Sequence, residues 1–145
     1  MKNKIIIAVA CVAIAVACVA IAAACAALAE LPDRAQWVGV WQGKLDELPS
    51  VTLTLAQDTG QLSGTLVLNI IKREPGGQPQ IMAVEPHSLV NPQVDGNNLN
   101  FEVRKIDGSS DLLNFTVALT PEGKARIHCT NCGADAPTVD MDRTR

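Results

Sequence analysis

The chain has no tyrosine and only two phenylalanines and two tryptophans among its 145 residues, so the flat aromatic platforms on which bases or sugar rings stack are nearly missing. That scarcity argues against a lectin and against a single-strand nucleic-acid binder. A concentration of positive charge is missing too. The formal balance is −3, and the basic residues of the later chain sit in scattered doublets, Lys72-Arg73 and Arg104-Lys105. Such doublets cannot hold a phosphate backbone, which excludes nucleic acid as a partner. Histidine is scarce as well. His87 and His128 are the only candidate bases near neutral pH, and Ser88, next to His87, points to the opposite face of its strand. Asp46-Glu47 reads as a solvated hairpin tip rather than a glycosidase carboxylate pair. The sequence therefore predicts no catalytic residues and no cofactor, and the chain is not expected to be an enzyme.

What is present begins with an apolar leader. Lys2 and Lys4 supply positive charge, and residues 5–29 carry neither charge nor strong polarity. Ala27-Leu28-Ala29 before Glu30 has the small-x-small pattern that a signal peptidase accepts, which places cleavage between Ala29 and Glu30. Two alternatives stay open: an uncleaved anchor, because the run is long enough to span a bilayer, and lipidation at Cys25, which follows Ala23-Ala24. Cys11, Cys18 and Cys25 recur at heptad spacing, a repeat suited to a packed helix pair but read more simply as slippage within a segment selected for being apolar. The expected organisation is thus a signal peptide or membrane anchor over 1–29, a linker over 30–36 and a domain over 37–145, exported to a periplasmic or extracellular space. Every acidic residue lies at or beyond Glu30, so taking the two leader lysines away from −3 leaves the domain at −5. Any contact with a membrane falls to the N-terminal segment alone.

Past Pro32 the apolar period becomes two, and Gly, Pro, Asn and Asp punctuate the chain every few residues. Strands are expected at 37–45, 51–55, 62–70, 81–90, 99–104, 113–119, 125–129 and 138–143, with longer links at 72–80 and 91–97. Eight short antiparallel strands in a meander bury one apolar face by curling into an up-and-down barrel, which makes the fold class all-β.

Gly39-Val40-Trp41 in the first strand resembles the Gly-x-Trp signature of calycins, the lipocalins and avidins, and Gly60-Gln61-Leu62-Ser63-Gly64-Thr65-Leu66 is similar to an avidin-type turn and strand. Trp41-Gln42-Gly43-Lys44-Leu45-Asp46 and Met141-Asp142-Arg143 also resemble the ends of a group of uncharacterised bacterial secreted proteins. The resemblance to calycins implies that Trp41 packs at the closed end of a barrel under Arg143. It does not imply biotin binding, because the inward positions here are Leu, Val and Phe instead of the polar and aromatic lining of avidins.

In a meander alternate loops share a rim, so 46–49, 72–80, 105–111 and 130–137 gather at one end. A ligand mouth belongs there. Leu66, Leu68, Phe101 and Phe115 point inward beneath it as candidate lining for a small apolar or amphipathic ligand, with Lys72, Arg73 or Lys105 at the lip to meet a carboxylate. A solid, packed core serving a structural or interaction role in the cell envelope is the other reading of the same side chains. Cys129 and Cys132 are expected to form a disulfide in an exported domain. A metal site from His128, Cys129, Cys132 and Asp135 fails on geometry, since adjacent strand residues point to opposite faces. A redox motif would need a helix after Cys132, and haem attachment would need a histidine where Gly133 stands.

Overall fold

The computed structural model describes residues 34–144; the cleavage position Ala29/Glu30 and the lipidation position Cys25 lie outside the described residues. Nine strands follow a helical turn at residues 34–37: β1 (Gly39–Leu45), β2 (Leu48–Asp58), β3 (Gln61–Lys72), β4 (Gln80–Ser88), β5 (Val90–Asp95), β6 (Asn98–Arg104), β7 (Leu112–Leu119), β8 (Ala125–Cys129) and β9 (Thr138–Thr144). All pairings are antiparallel, in the order β4-β3-β2-β1-β9-β8-β7-β6-β5. Because β1 pairs with β9, the meander curls back on itself and becomes a half-barrel. No helix described is long and apolar enough to cross a membrane.

Alternation drives the curl. In β2 Val51, Leu53 and Leu55 are buried while Thr52 and Thr54 stand on the other face, and Phe101, Val103, Phe115 and Val117 do the same in β6 and β7. Leu53, Leu66, Leu99, Val103, Val117 and Met141 have no exposed surface, and truncating any one of the leucines to Ala would cost about 2–5 kcal/mol. Gly43 lets β1 lie close to its neighbours. A Cβ there would stand 2.6 Å from the Val139 side chain and 2.9 Å from the Asp140 carbonyl, nearer than packed atoms approach.

The structure departs from the expected strands in three places. The single strand expected at 81–90 is two: the chain runs straight from β4, paired with β3, into β5, paired with β6. The residues 91–97, read as a link, are mostly strand, because Asn91 at φ 47 and the irregular register between Val90 and Gln93 absorb the bend without ending the pairing. Trp37 lies before the first strand, not in it. Its N–H donates to the Arg34 carbonyl at 3.1 Å, Gly39 breaks the alternation at φ +132, and the indole folds back 6.3 Å from the Trp41 ring. Finally, Ile70 ends the inward row of β3 but is 43% exposed, since the β3–β4 hairpin outruns the rest of the sheet.

The two sheet edges, β4 and β5, are joined through Leu89 but are not paired with each other. Two hydrogen bonds reach across the seam. The Leu89 N–H donates to the Gly64 carbonyl at 3.1 Å, and His87 Nδ1 lies 2.9 Å from the Arg104 carbonyl. A carbonyl only accepts, so Nδ1 carries the proton. His87 is buried, and its Nε2 has no hydrogen-bond partner, the Glu85 carboxylate being 3.7 Å away.

Candidate functional site at the long-loop rim

Strand direction sets the rims. The turn 46–47 and the loops 73–79, 105–111 and 130–137 share one end, as alternation of hairpins requires, and the turns at 59–60, 96–97 and 120–124 share the other. The second end is closed by large side chains. Trp37 and Trp41 are buried there, the Trp41 indole N–H donates to the Trp37 carbonyl at 2.9 Å, and the Arg143 guanidinium lies 5.6 Å from the Trp41 ring centroid.

The long-loop end is hollow. A cavity of about 550 Å³ opens there, floored by Val51, Leu68, Phe115, Ile127 and Val139 and walled by the 130–137 loop with its disulfide. Its size lies within the range of small-molecule sites. The polar groups on its wall are already engaged: Ser50 Oγ donates to the Gly43 carbonyl at 3.3 Å, and Asn69 Nδ2 to the Pro49 carbonyl at 2.8 Å. What faces the space is therefore hydrocarbon. An apolar group entering it would leave water at roughly 25 cal/mol per Å² of surface covered.

The loop that forms the wall is held by three devices. Cys129 and Cys132 are disulfide-bonded, with Cα atoms 5.5 Å apart, as expected from their spacing. Asn131 between them accepts from the Asn114 N–H at 2.8 Å and donates from Nδ2 to the Leu112 carbonyl at 2.9 Å, pinning the loop to the end of β7. The Thr130 N–H adds a bond of 2.8 Å to the Asn114 carbonyl. With both sulfurs in the disulfide, the residues His128, Cys129, Cys132 and Asp135 offer no thiolate to a metal.

The candidate lining residues separate into two groups. Leu68 and Phe115 line the cavity, whereas Leu66 at 0% and Phe101 at 2% exposure belong to the filled part of the core. Phe101 and Phe115 stack with ring centroids 5.6 Å apart, so Phe101 backs the ring that the cavity touches. The three cations of the rim are engaged with acids and none is part of the cavity wall. Lys72 Nζ lies 3.1 Å from Glu74, Lys105 Nζ lies 3.2 Å from Asp111, and Arg73 Nε donates to Asp46 Oδ2 at 2.6 Å. Hydrogen bonding to Arg73 holds the Asp46 carboxyl below its usual range and raises the guanidinium in turn.

The Asp46–Arg73 contact clips the β1–β2 turn to the β3–β4 loop. It also braces a turn whose two central residues both have positive φ, 53 at Asp46 and 65 at Glu47, a conformation that costs a side-chain-bearing residue about 1–2 kcal/mol. Sequence reasoning did not find Asn131, Ser50 or Asn69, whose parts depend on which backbone groups the fold leaves free. A second, polar depression of about 360 Å³ lies over Asn91, Gln93, Asn100, Asn114 and Thr116, with Glu102 at its side. Among the described residues no group of three or more His, Cys, Asp or Glu side chains is placed to hold a metal ion. No family model matches the chain, and no curated protein and no solved structure matches it.

Proposed function

We propose that this is an exported binding protein, not an enzyme, whose ligand is a small apolar or amphipathic molecule seated at the long-loop rim. The observation that carries the reading is the apolar floor of Val51, Leu68, Phe115, Ile127 and Val139 beneath an open mouth, at the end opposite the Trp41–Arg143 plug. An amphipathic ligand would put its tail on that floor and its polar end in the mouth. There it would have to draw Lys72, Arg73 or Lys105 away from its present acid. Export is supported by the charged and apolar leader and by the disulfide. Attachment to a membrane, on this reading, involves only the N-terminal segment.

The same reading treats the half-barrel as an opened eight-stranded up-and-down barrel of calycin type, with β4 and β5 as two halves of one bent strand. Continuity of the chain through Leu89 supports it, as does the stacking of Arg143 on Trp41 that the resemblance implies. A solid structural or interaction module of the cell envelope is the second reading. The complete packing of Leu66 and Phe101 favours it for the lower half of the domain.

Native mass spectrometry of the full chain purified from its host distinguishes the two. The binding reading expects an added mass on the order of a few hundred daltons that organic solvent strips away. A bare polypeptide mass that takes up no medium-chain fatty acid would favour the solid module.

A further inference from the structure

The two sheet edges differ in how they are protected. The free edge of β5 carries Pro92, which has no N–H to offer, the bend at Asn91 and the charge of Asp95, all devices that discourage strand addition. The lower part of β4 is guarded similarly by Glu85, by Pro86 and by the bond from His87 to Arg104. The upper part, Gln80–Val84, has none of these. It pairs with β3 on one side, is exposed along its whole length, and holds three apolar side chains in water: Ile81 at 39%, Met82 at 59% and Val84 at 61% exposure. Ile70 on β3, at 43%, extends the same patch.

From this contrast we infer that Gln80–Val84 is a self-association seam, at which β4 of one copy pairs antiparallel with β4 of a second copy about a two-fold axis. Three features select a second copy as the occupant. Antiparallel pairing about a two-fold sets the segment against itself, so each copy supplies the strand its partner lacks. The segment carries no charge in a chain of net −3, and the nearest charges on the hairpin, Lys72 and Glu74, neutralise each other, so two copies meet there without repulsion. Exposed apolar residues at the edge would each meet an apolar counterpart, which a charged or polar peptide would not supply. Five residues a side make a small interface, so the dimer is weak and dependent on concentration. The inference is independent of what the rim cavity binds.

Sedimentation velocity over a wide concentration range, on the full chain as its host processes it, gives the mass. Hydrogen exchange on the same samples reads the β4 amides. The expected result is a monomer–dimer equilibrium in which amides of Ile81–Val84 gain protection as concentration rises. Val84→Lys and Met82→Lys, both at exposed positions, each weaken association at least tenfold and leave the circular dichroism unchanged. A mass that stays monomeric, a dimer whose β4 amides exchange freely, dimerisation untouched by both lysines, or an edge that pairs only with an unrelated extended peptide would each overturn the inference.

Discussion

The guanidinium of Arg143 sits 5.6 Å from the centre of the Trp41 ring, directly across the β1–β9 pairing from it, and its Nη2 donates to the Val38 carbonyl. One side chain thereby joins the last strand to the first, both through the indole face and through the backbone just before β1. Gly39 leaves it room, since a Cβ there would stand 3.1 Å from Arg143 Nε. Replacing Arg143 by Ala should cost about 0.5–2 kcal/mol for the cation–π contact and further stability for the lost hydrogen bond. Arg143→Lys should recover only part, because an ammonium cannot both cover the ring and reach Val38 with a planar fork. Urea unfolding followed by tryptophan fluorescence measures both; equal stability in all three proteins would contradict the role.

His87 is the side chain that spans the open seam. His87→Leu keeps an apolar body in the buried position but removes the donor to the Arg104 carbonyl, so a loss of about 1–3 kcal/mol is expected. Hydrogen exchange separates this from general loosening. The amides near Ser88 and Arg104 should exchange faster in the variant, while those of β1 and β9 keep their protection until global unfolding.

Acid should loosen the rim. Asp46 is held below its unfolded carboxyl value of 3.8 by Arg73, and Asp140 is held below it by Arg126. A depressed carboxyl contributes its stability in full above the unfolded value and loses it as pH falls through the folded one, so the effect appears below about pH 4. Both pairs are exposed and screened by salt, which keeps each contribution small. Asp46→Asn should flatten part of the acid-side fall of Tm and leave the neutral side nearly unchanged. An acid limb identical to that of the parent would show that the Asp46–Arg73 clip has no part in it.

The strand rhythm, the Trp41–Arg143 contact and the Cys129–Cys132 bond were legible from residues because each depends on local period, on a short motif or on spacing of three. The split of the fourth strand was not. Asn91 and Pro92 read as a loop, and only the partners on either side, β3 and β6, reveal that pairing passes through the bend. Period two likewise says that Leu66 and Leu68 face inward but not whether space remains beside them. Leu66 is wholly packed and Leu68 borders a cavity, a difference set by the neighbours each strand brings. The rim cations were placed at the correct end, yet Arg73 and Asp46, 27 residues apart, gave no sign that they would be paired.

The central claim is an apolar site above the Phe115 ring, and the most direct test places a reporter there. A spin-labelled fatty acid added to methyl-labelled protein should broaden the methyl signals of Val51, Leu68, Ile127 and Val139 at the cavity floor. Those of Leu99 and Val117, wholly buried and absent from the cavity wall, should be broadened least. Broadening confined to the β4 edge around Val84, or none anywhere at saturating probe, would contradict the account.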